Sequence, residues 1–434
     1  MYEPRENVLH LKSDGPGAIP VNADQGYLSL RAGRFEEARQ IFRGCLRADP
    51  TDYRSQIGLC AALDEGGDHY GAATMLRAVA RHHPLIPPHR VDPGLPSLLE
   101  IRSLEAARYV VTRRSGGDGF KIVLSGGHFS LDALLPRGNV NRYLGNQLRE
   151  NLDELTDEDG EMHLAVNTIA CPDTGEEALR ALASFLAGRP DLPVVNPPDG
   201  ILALSRDRLH RRLQWEAGIA APRTLRLPAG LTADAVQERL VRHGLQYPVL
   251  LREALSGTTD RLALIHDRSW LEVWLEQSEG SDFQYLQQFH DVADPAGHVV
   301  KWRGFFVDGT FYPAARVVSD TWHVRMGDRD RLMAEHEELR AEERRFLQAP
   351  GRALGSGRLA ALARLPDLLK LDFFGVDFTI GRDGDVLVLA ANPAMPIILD
   401  YGDDYPYAKP HLAKIPAAFE GLVERKLGME PEPE

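Results

Sequence analysis

The spacing of apolar positions changes along the chain. Leu28, Phe35, Ala38, Ile41 and Leu46 fall on one side of helical turns, which predicts amphipathic helices at the front. Gly33, Ala38, Phe42 and Pro50 return as Gly67, Ala72, Leu76 and Pro84, each 34 residues later. That period, with small residues where helices touch and a large apolar knob, predicts two copies of one helical hairpin. Cys45 and Val79 occupy its small apolar position. Pro84 to Pro88, Pro93 and Pro96 then break the pattern as a hinge. From about residue 97 to 195, short apolar runs alternate with helical ones: Lys121–Leu124, His163–Ile169 and a helix over 176–186. Such alternation predicts a small parallel sheet.

Beyond residue 196 strands dominate. Ser205 is placed to cap a helix, Gly218 to end it, and 247–252 and 284–289 read as strands. Two Asp-Gly pairs, Asp308-Gly309 and Asp383-Gly384, sit between apolar runs and predict hairpins with tight two-residue turns. In the second hairpin such a turn pairs Arg382 with Asp385. Counting outward sets Asp377 across from Ala390, with Asn392 one diagonal step away. Directly opposed side chains lie within about 5.5 Å and diagonal ones within about 8 Å, so Asp377 and Asn392 can converge on one cation. A carboxylate and an amide without His or Cys suit a hard cation such as Mg²⁺. Lys301, Arg303 and Arg316 put cations on the strands of the first hairpin, where they suit phosphate or a carboxylate.

Composition narrows the class. The 434 residues are 43% hydrophobic and 26% charged, ordinary for a globular protein of roughly two to four domains. A net charge of −13 argues against broad nucleic-acid binding. No apolar run reaches the roughly 18 residues of a membrane span, and no signal-peptide core opens the chain. Cys45, Cys60 and Cys171 form neither a CxxC nor a disulfide framework, which fits a cytoplasmic protein. His82, His83 and His163 lack zinc spacing, and there is no Gly-x-Ser-x-Gly elbow. Gly126-Gly127-His128 lacks the residues of a phosphate loop, which leaves His128 as a structural residue or a substrate contact.

Several segments together resemble the ATP-grasp superfamily. They are Asn196-Pro197 leading to Ser205-Arg206-Asp207-Arg208, Gly218-Ile219 leading to Pro222-Arg223-Thr224, Tyr247-Pro248 leading to Arg252, and the Asp377/Asn392 strand pair. Within it, the chain looks like the branch that carries N-terminal tetratricopeptide repeats. Two positions depart: Ala390 stands where that superfamily has a metal-binding Glu, and Ala314-Ala315-Arg316 follows Tyr312-Pro313 where the branch has a His.

The resemblance implies an α+β multidomain fold. Its parts are a flexible arm (1–20), a tetratricopeptide-like helical pair (21–92), a small α/β pre-ATP-grasp domain (97–195) and an ATP-grasp domain (196–428). It implies ATP and Mg²⁺ as cofactors, with Arg252 and Lys301 on phosphate and Asp377 and Asn392 on metal. Arg303 and Arg316 fall to the reacting phosphoryl or carboxylate, the hinge Gln287, Gln288 and Phe289 to adenine, and the loop Ser256–Thr259 to the phosphates. Asp291 is either a ribose contact or an ordinary loop residue. The implied activity is ATP-dependent carboxylate–amine ligation through an acyl phosphate, on a peptide or amino-acid-derived substrate. Ala390 keeps two alternatives open: a degenerate member that binds nucleotide or peptide, and a phosphotransferase without ligation. Asp372 or Asp400 could supply a replacement acid. The helical pair serves either a protein partner or self-association and packing.

Overall fold

The computed structural model describes residues 22–83, 85–86, 91–103, 108–113, 120–125, 127–135, 140–146, 161–253, 262–277, 283–398, 401–402 and 404–429. The expected arm 1–20, Pro84, Pro87 and Pro88 of the hinge, the Ser256–Thr259 loop, Asp400 and the acidic tail 430–434 lie outside these residues. The chain forms two compact units, one of residues 1–84 and 104–125, the other of 85–103 and 126–434.

In the first unit, α1 (Ala23–Arg31), α2 (Phe35–Ala48), α3 (Tyr53–Glu65) and α4 (His69–His82) form two hairpins. Asn22, Asp52 and Asp68 cap α1, α3 and α4 by accepting from backbone N–H groups of the first turns. The 34-residue recurrence is visible in three dimensions. Gly33 and Gly67 turn the chain with φ of 73° and 84°, and Ala38, Ala72, Phe42 and Leu76 are all buried. Phe42 lies so close to Gly26 and Gly58 that a Cβ at either would stand 2.6 or 2.3 Å from its ring. Cys45 is only half-buried, whereas Val79 is buried.

Among the described residues the second unit holds three sheets. Strands are numbered by sequence: β1 (Leu85–Ile86), β2 (Ser97–Arg102), β3 (Arg108–Arg113), β4 (Phe120–Ser125), β5 (Asn141–Asn146), β6 (Leu164–Asn167) and β7 (Val194–Val195). The order β1-β5-β2-β6-β7 gives the parallel sheet expected for this region, with β1 as an antiparallel edge. One strand is misplaced by the sequence reading. Lys121–Leu124, expected in that sheet, lies in β4, which pairs antiparallel with β3, and this hairpin groups with the first unit. Tyr109-Val110-Val111 precedes it closely, across Gly116-Gly117-Asp118-Gly119, a segment whose composition favours local pairing. His128 is held in the parallel-sheet region, its Nε2 accepting from Ser103 N at 2.9 Å.

The remaining strands are β8 (Ile219–Ala220), β9 (Thr224–Pro228), β10 (Val249–Glu253), β11 (Leu262–Ile265), β12 (Phe283–Gln288), β13 (Val299–Val307), β14 (Thr310–Ser319), β15 (Phe373–Ile380) and β16 (Val386–Asn392). They build a four-stranded sheet, β11-β10-β12-β9, and a five-stranded one, β14-β13-β15-β16-β8. A phenylalanine core anchors the larger sheet, with Phe305, Phe306, Phe373, Phe374, Phe346 and Phe419 fully buried. Burying each such ring favours the fold by roughly 1.5–3 kcal/mol. The Asn-Pro motif has a structural role here. Asn196 adopts φ of 60°, is fully buried, donates to Phe373 O and accepts from Asp372 N and Phe373 N.

Both Asp-Gly hairpins form, by different turns. Asp308 and Gly309 make the tight two-residue turn, with Val307 paired to Thr310. Asp383 and Gly384 instead belong to a five-residue loop, because Ile380 pairs with Val386 and Gly381 N donates to Asp385 O. A bulge at Leu389 offsets the longer loop, so Asp377 still faces Ala390. In the first hairpin a bulge at Ala314 pairs Arg303 with Ala315 and Trp302 with Arg316.

Candidate functional site

A cleft of about 340 Å³ opens in the second unit between the four- and five-stranded sheets. Strand alternation supplies its walls. On β10, Val249 and Leu251 are buried in the small sheet's own core, which turns Leu250 and Arg252 to the cleft. On β13 and β15, Lys301, Asp377 and Thr379 face it, and Leu387, Leu389 and Ala390 close it from β16. Leu250, Leu262, Val292, Val299, Leu387 and Leu389 make an apolar chamber, and Arg206, Arg252 and Lys301 add a cationic margin beside His323.

The hinge between the sheets is fixed by its own side chains. Gln288 accepts from Gln246 N at 3.0 Å and donates to Gln246 O at 3.0 Å, while its backbone N–H donates to Arg223 O at 2.8 Å. Gln287 pairs with Leu250 and lines the cleft, and Phe289 meets Trp322 edge-on at 6.1 Å. Trp322 in turn stacks on His323 at 5.1 Å. Asp291 lines a neighbouring cavity of about 740 Å³ instead, and Arg382 donates to its carboxylate at 2.6 Å. That larger cavity shares Val292 and Leu387 with the chamber but sets Asp291, Asp383 and Asp385 against Arg223 and Arg382, so its charge is mixed rather than cationic.

Around Asp377 the charges are tightly bound. Arg303 forks it, Nε to Oδ1 at 2.7 Å and Nη2 to Oδ2 at 2.8 Å, and Lys301 Nζ stands 3.9 Å from Oδ2. Lys301 also donates to Val324 O at 2.7 Å. Burial draws the Lys301 pKa below its ordinary value against the pull of Asp377, with Arg303 and Arg252 adding repulsion. His323 is held below its ordinary value as well, first by burial and then by Arg325, Arg252 and Lys301. Arg252 and Lys301, from different sheets, are therefore close enough to act on the same imidazole.

Arg316 is apart from this group. Because Ala314 bulges, Arg316 stands beside Trp302, its guanidinium 5.1 Å from the indole, and it ion-pairs with Glu342. Arg303 lies on the other face with Asp377. Asn392 uses Oδ1 to accept from Ala394 N at 2.6 Å, which closes the turn after β16. Asp372 is also engaged, accepting from Asn196 N and pairing with Lys426.

These residues do not fit a protein-held Mg²⁺. Both Asp377 oxygens accept from Arg303, Ala390 has no ligand atom, and Asn392 Oδ1 is used by the backbone. Among the described residues no group of three or more His, Cys, Asp or Glu could hold a metal. The donor-rich margin suits an anion. The sequence reading gave ligand roles to Arg252, Lys301 and the hinge but none to Arg206 or His323. Arg206 reaches the cleft through a helix start, donating to Leu389 O, and nothing local in the sequence announces that contact.

Among the described residues no helix is long and apolar enough to cross a membrane. No protein-family profile matches the chain, and no curated protein does. Solved structures show partial likenesses. A RimK domain protein ATP-grasp from Sphaerobacter thermophilus is 20% identical, covering 65% of this chain and 90% of its own, with a TM-score of 0.39. The D-alanine–D-alanine ligase from Bacillus anthracis complexed with ATP is 11% identical over 77% of this chain and 99% of its own, with a TM-score of 0.44. The VanG D-Ala:D-Ser ligase from Enterococcus faecalis is 15% identical over 61% and 74%, at 0.39. At these identities and scores no activity or residue role passes from those proteins to this chain.

Proposed function

We propose that the chain is an ATP-grasp protein whose cleft binds ATP. One observation carries this: an apolar chamber next to a hinge runs into cations contributed by two different sheets. In this reading Leu250, Leu387 and Leu389 pack the base, the hinge backbone of Gln287, Gln288 and Phe289 hydrogen-bonds it, and Arg252 and Lys301 hold phosphate. Calorimetric titration with ATP tests it. Saturable binding that weakens about tenfold or more in Leu250→Asn, with the melting temperature kept, is expected. Absence of ATP binding to the parent chain overturns it.

A second reading adds chemistry: ATP-dependent carboxylate–amine ligation on a peptide or amino-acid-derived substrate. A carboxylate oxygen takes the γ-phosphoryl group and ADP leaves. An amine nitrogen then attacks the acyl carbon, forming the C–N bond and releasing phosphate. The cations at the phosphate margin favour it, since such groups stabilise charge on a transferred phosphoryl. The engaged Asp377 and Ala390 favour nucleotide binding without turnover. Mass spectrometry after incubation with ATP and mixed amino acids separates the cases. A condensed product with ADP supports ligation, a phosphorylated and unjoined one supports phosphotransfer, and neither leaves binding alone. The helical hairpins of the first unit are read as a surface for a protein partner or for self-association.

A further inference from the structure

We propose that the cleft takes the polyphosphate of its nucleotide as the metal-free anion, with Arg206, Arg252 and Lys301 supplying positive charge that a divalent cation would otherwise bring. The inference rests on the ATP-binding reading above. It is carried by a geometry that offers a cation one carboxylate, already neutralised by Arg303, and an anion three cationic side chains.

Among the described residues that line the cleft, Asp377 is the only carboxylate. Its two oxygens accept from Arg303, and both side chains are nearly buried, at 12% and 10% exposure. Freeing Asp377 for a metal would leave Arg303 buried without its counter-ion, which is strongly unfavourable. Mg²⁺ is bound through carboxylates and parts reluctantly with its water. The residue directly across from Asp377 is Ala390, which offers neither charge nor oxygen. Lys301 Nζ, 3.9 Å from the same carboxylate, would repel any divalent ion there. Arg206, Arg252 and Lys301 leave the lining cationic after Asp377 is counted. Free ATP carries roughly two more negative charges than its magnesium complex, so such a lining favours the free form.

The test is calorimetry of the whole chain with ATP in EDTA and in excess MgCl₂, with MgCl₂ alone as a third titration. Binding in EDTA equal to or up to about tenfold tighter than in MgCl₂, with no binding of MgCl₂ alone, is expected. Binding that weakens about tenfold or more in EDTA overturns the inference and leaves the ATP-binding reading standing. No binding in either buffer overturns that reading, and the inference falls with it. Ala390→Glu is the second variant, placing a carboxylate opposite Asp377 without breaking the fork. Metal-free ATP should then bind about tenfold more weakly, and MgCl₂ should restore part of the loss. Unchanged metal-free binding in that variant overturns the proposal, because position 390 would then not face the phosphates.

Discussion

Two buried arginine–carboxylate forks in the second unit share their chemistry and differ in what surrounds them. Arg329 forks Glu343 at 2.6 and 2.8 Å, with both side chains almost without exposure. Everything around that pair is closed. Tyr407 donates to Glu343 at 2.8 Å, the backbone N–H of Arg316 donates to it at 2.9 Å, and the rings of Tyr401 and Tyr405 lie 3.8 and 4.3 Å from the Arg329 guanidinium. Arg303 and Asp377 make the same fork beside the cleft, with Lys301 and further cations at hand. A sealed pair, even with Arg329 Nε buried and unpartnered, acts on the fold. A pair at the edge of a cationic cleft also sets the charge that a ligand meets.

The largest effect should come from breaking the sealed fork. Arg329→Met leaves Glu343 buried without its counter-ion and should lower stability by about 3–5 kcal/mol. Urea unfolding followed by tryptophan fluorescence reads this directly. A loss below about 1 kcal/mol would show that the closed pair is not what holds the helix Glu337–Gln348 to β14.

Lys301→Met should divide the two pairs the other way. The Asp377 carboxylate keeps its fork to Arg303, so stability should shift by less than about 1 kcal/mol. ATP affinity should fall by about 2 kcal/mol, on the order of thirtyfold, because a charge-assisted contact to phosphate is lost. Equal losses in stability and affinity would mean that Lys301 serves the fold through Val324 O rather than the ligand.

The forks also mark how far the sequence can be read. The helical hairpins, the parallel sheet and both late hairpins are legible because their signals are local: a 34-residue period, strand–helix alternation and Asp-Gly between apolar runs. Bulges are not legible in this way, and two of them decide which side chains meet. Leu389 restores a register that the five-residue loop had shifted, so Asp377 faces Ala390 despite the wrong turn. Ala314 moves the register by one, and a one-residue slip changes the face of every later side chain. Arg316 thereby joins Trp302 and Glu342 instead of Lys301 and Arg303. The fork between Arg303 and Asp377 needed the neighbouring strands β13 and β15, which are distant in sequence, to be placed side by side. Arg329 with Glu343 carries no motif at all.

His323 offers the smallest and most selective test of the open side of this comparison. Burial and the neighbouring Arg325, Arg252 and Lys301 hold its pKa below the ordinary 6.5, so the ring is neutral at pH 7.5. A phosphate bound beside it favours the charged ring, which couples ATP binding to proton uptake. Affinity should therefore rise as pH falls from 7.5 toward 5.8, by roughly three- to fivefold more than in His323→Asn. ATP's own protonation is common to both proteins and cancels in that ratio. Folding responds with the opposite sign. The folded chain resists protonating His323, so its contribution to stability is present above pH 6.5 and lost as pH falls below that value through the lower folded pKa. Affinity and stability moving in opposite directions with pH, in the parent and not in the variant, would place His323 against bound phosphate. Parallel pH profiles in parent and variant would take the histidine out of the site and leave Arg252 and Lys301 to meet the ligand.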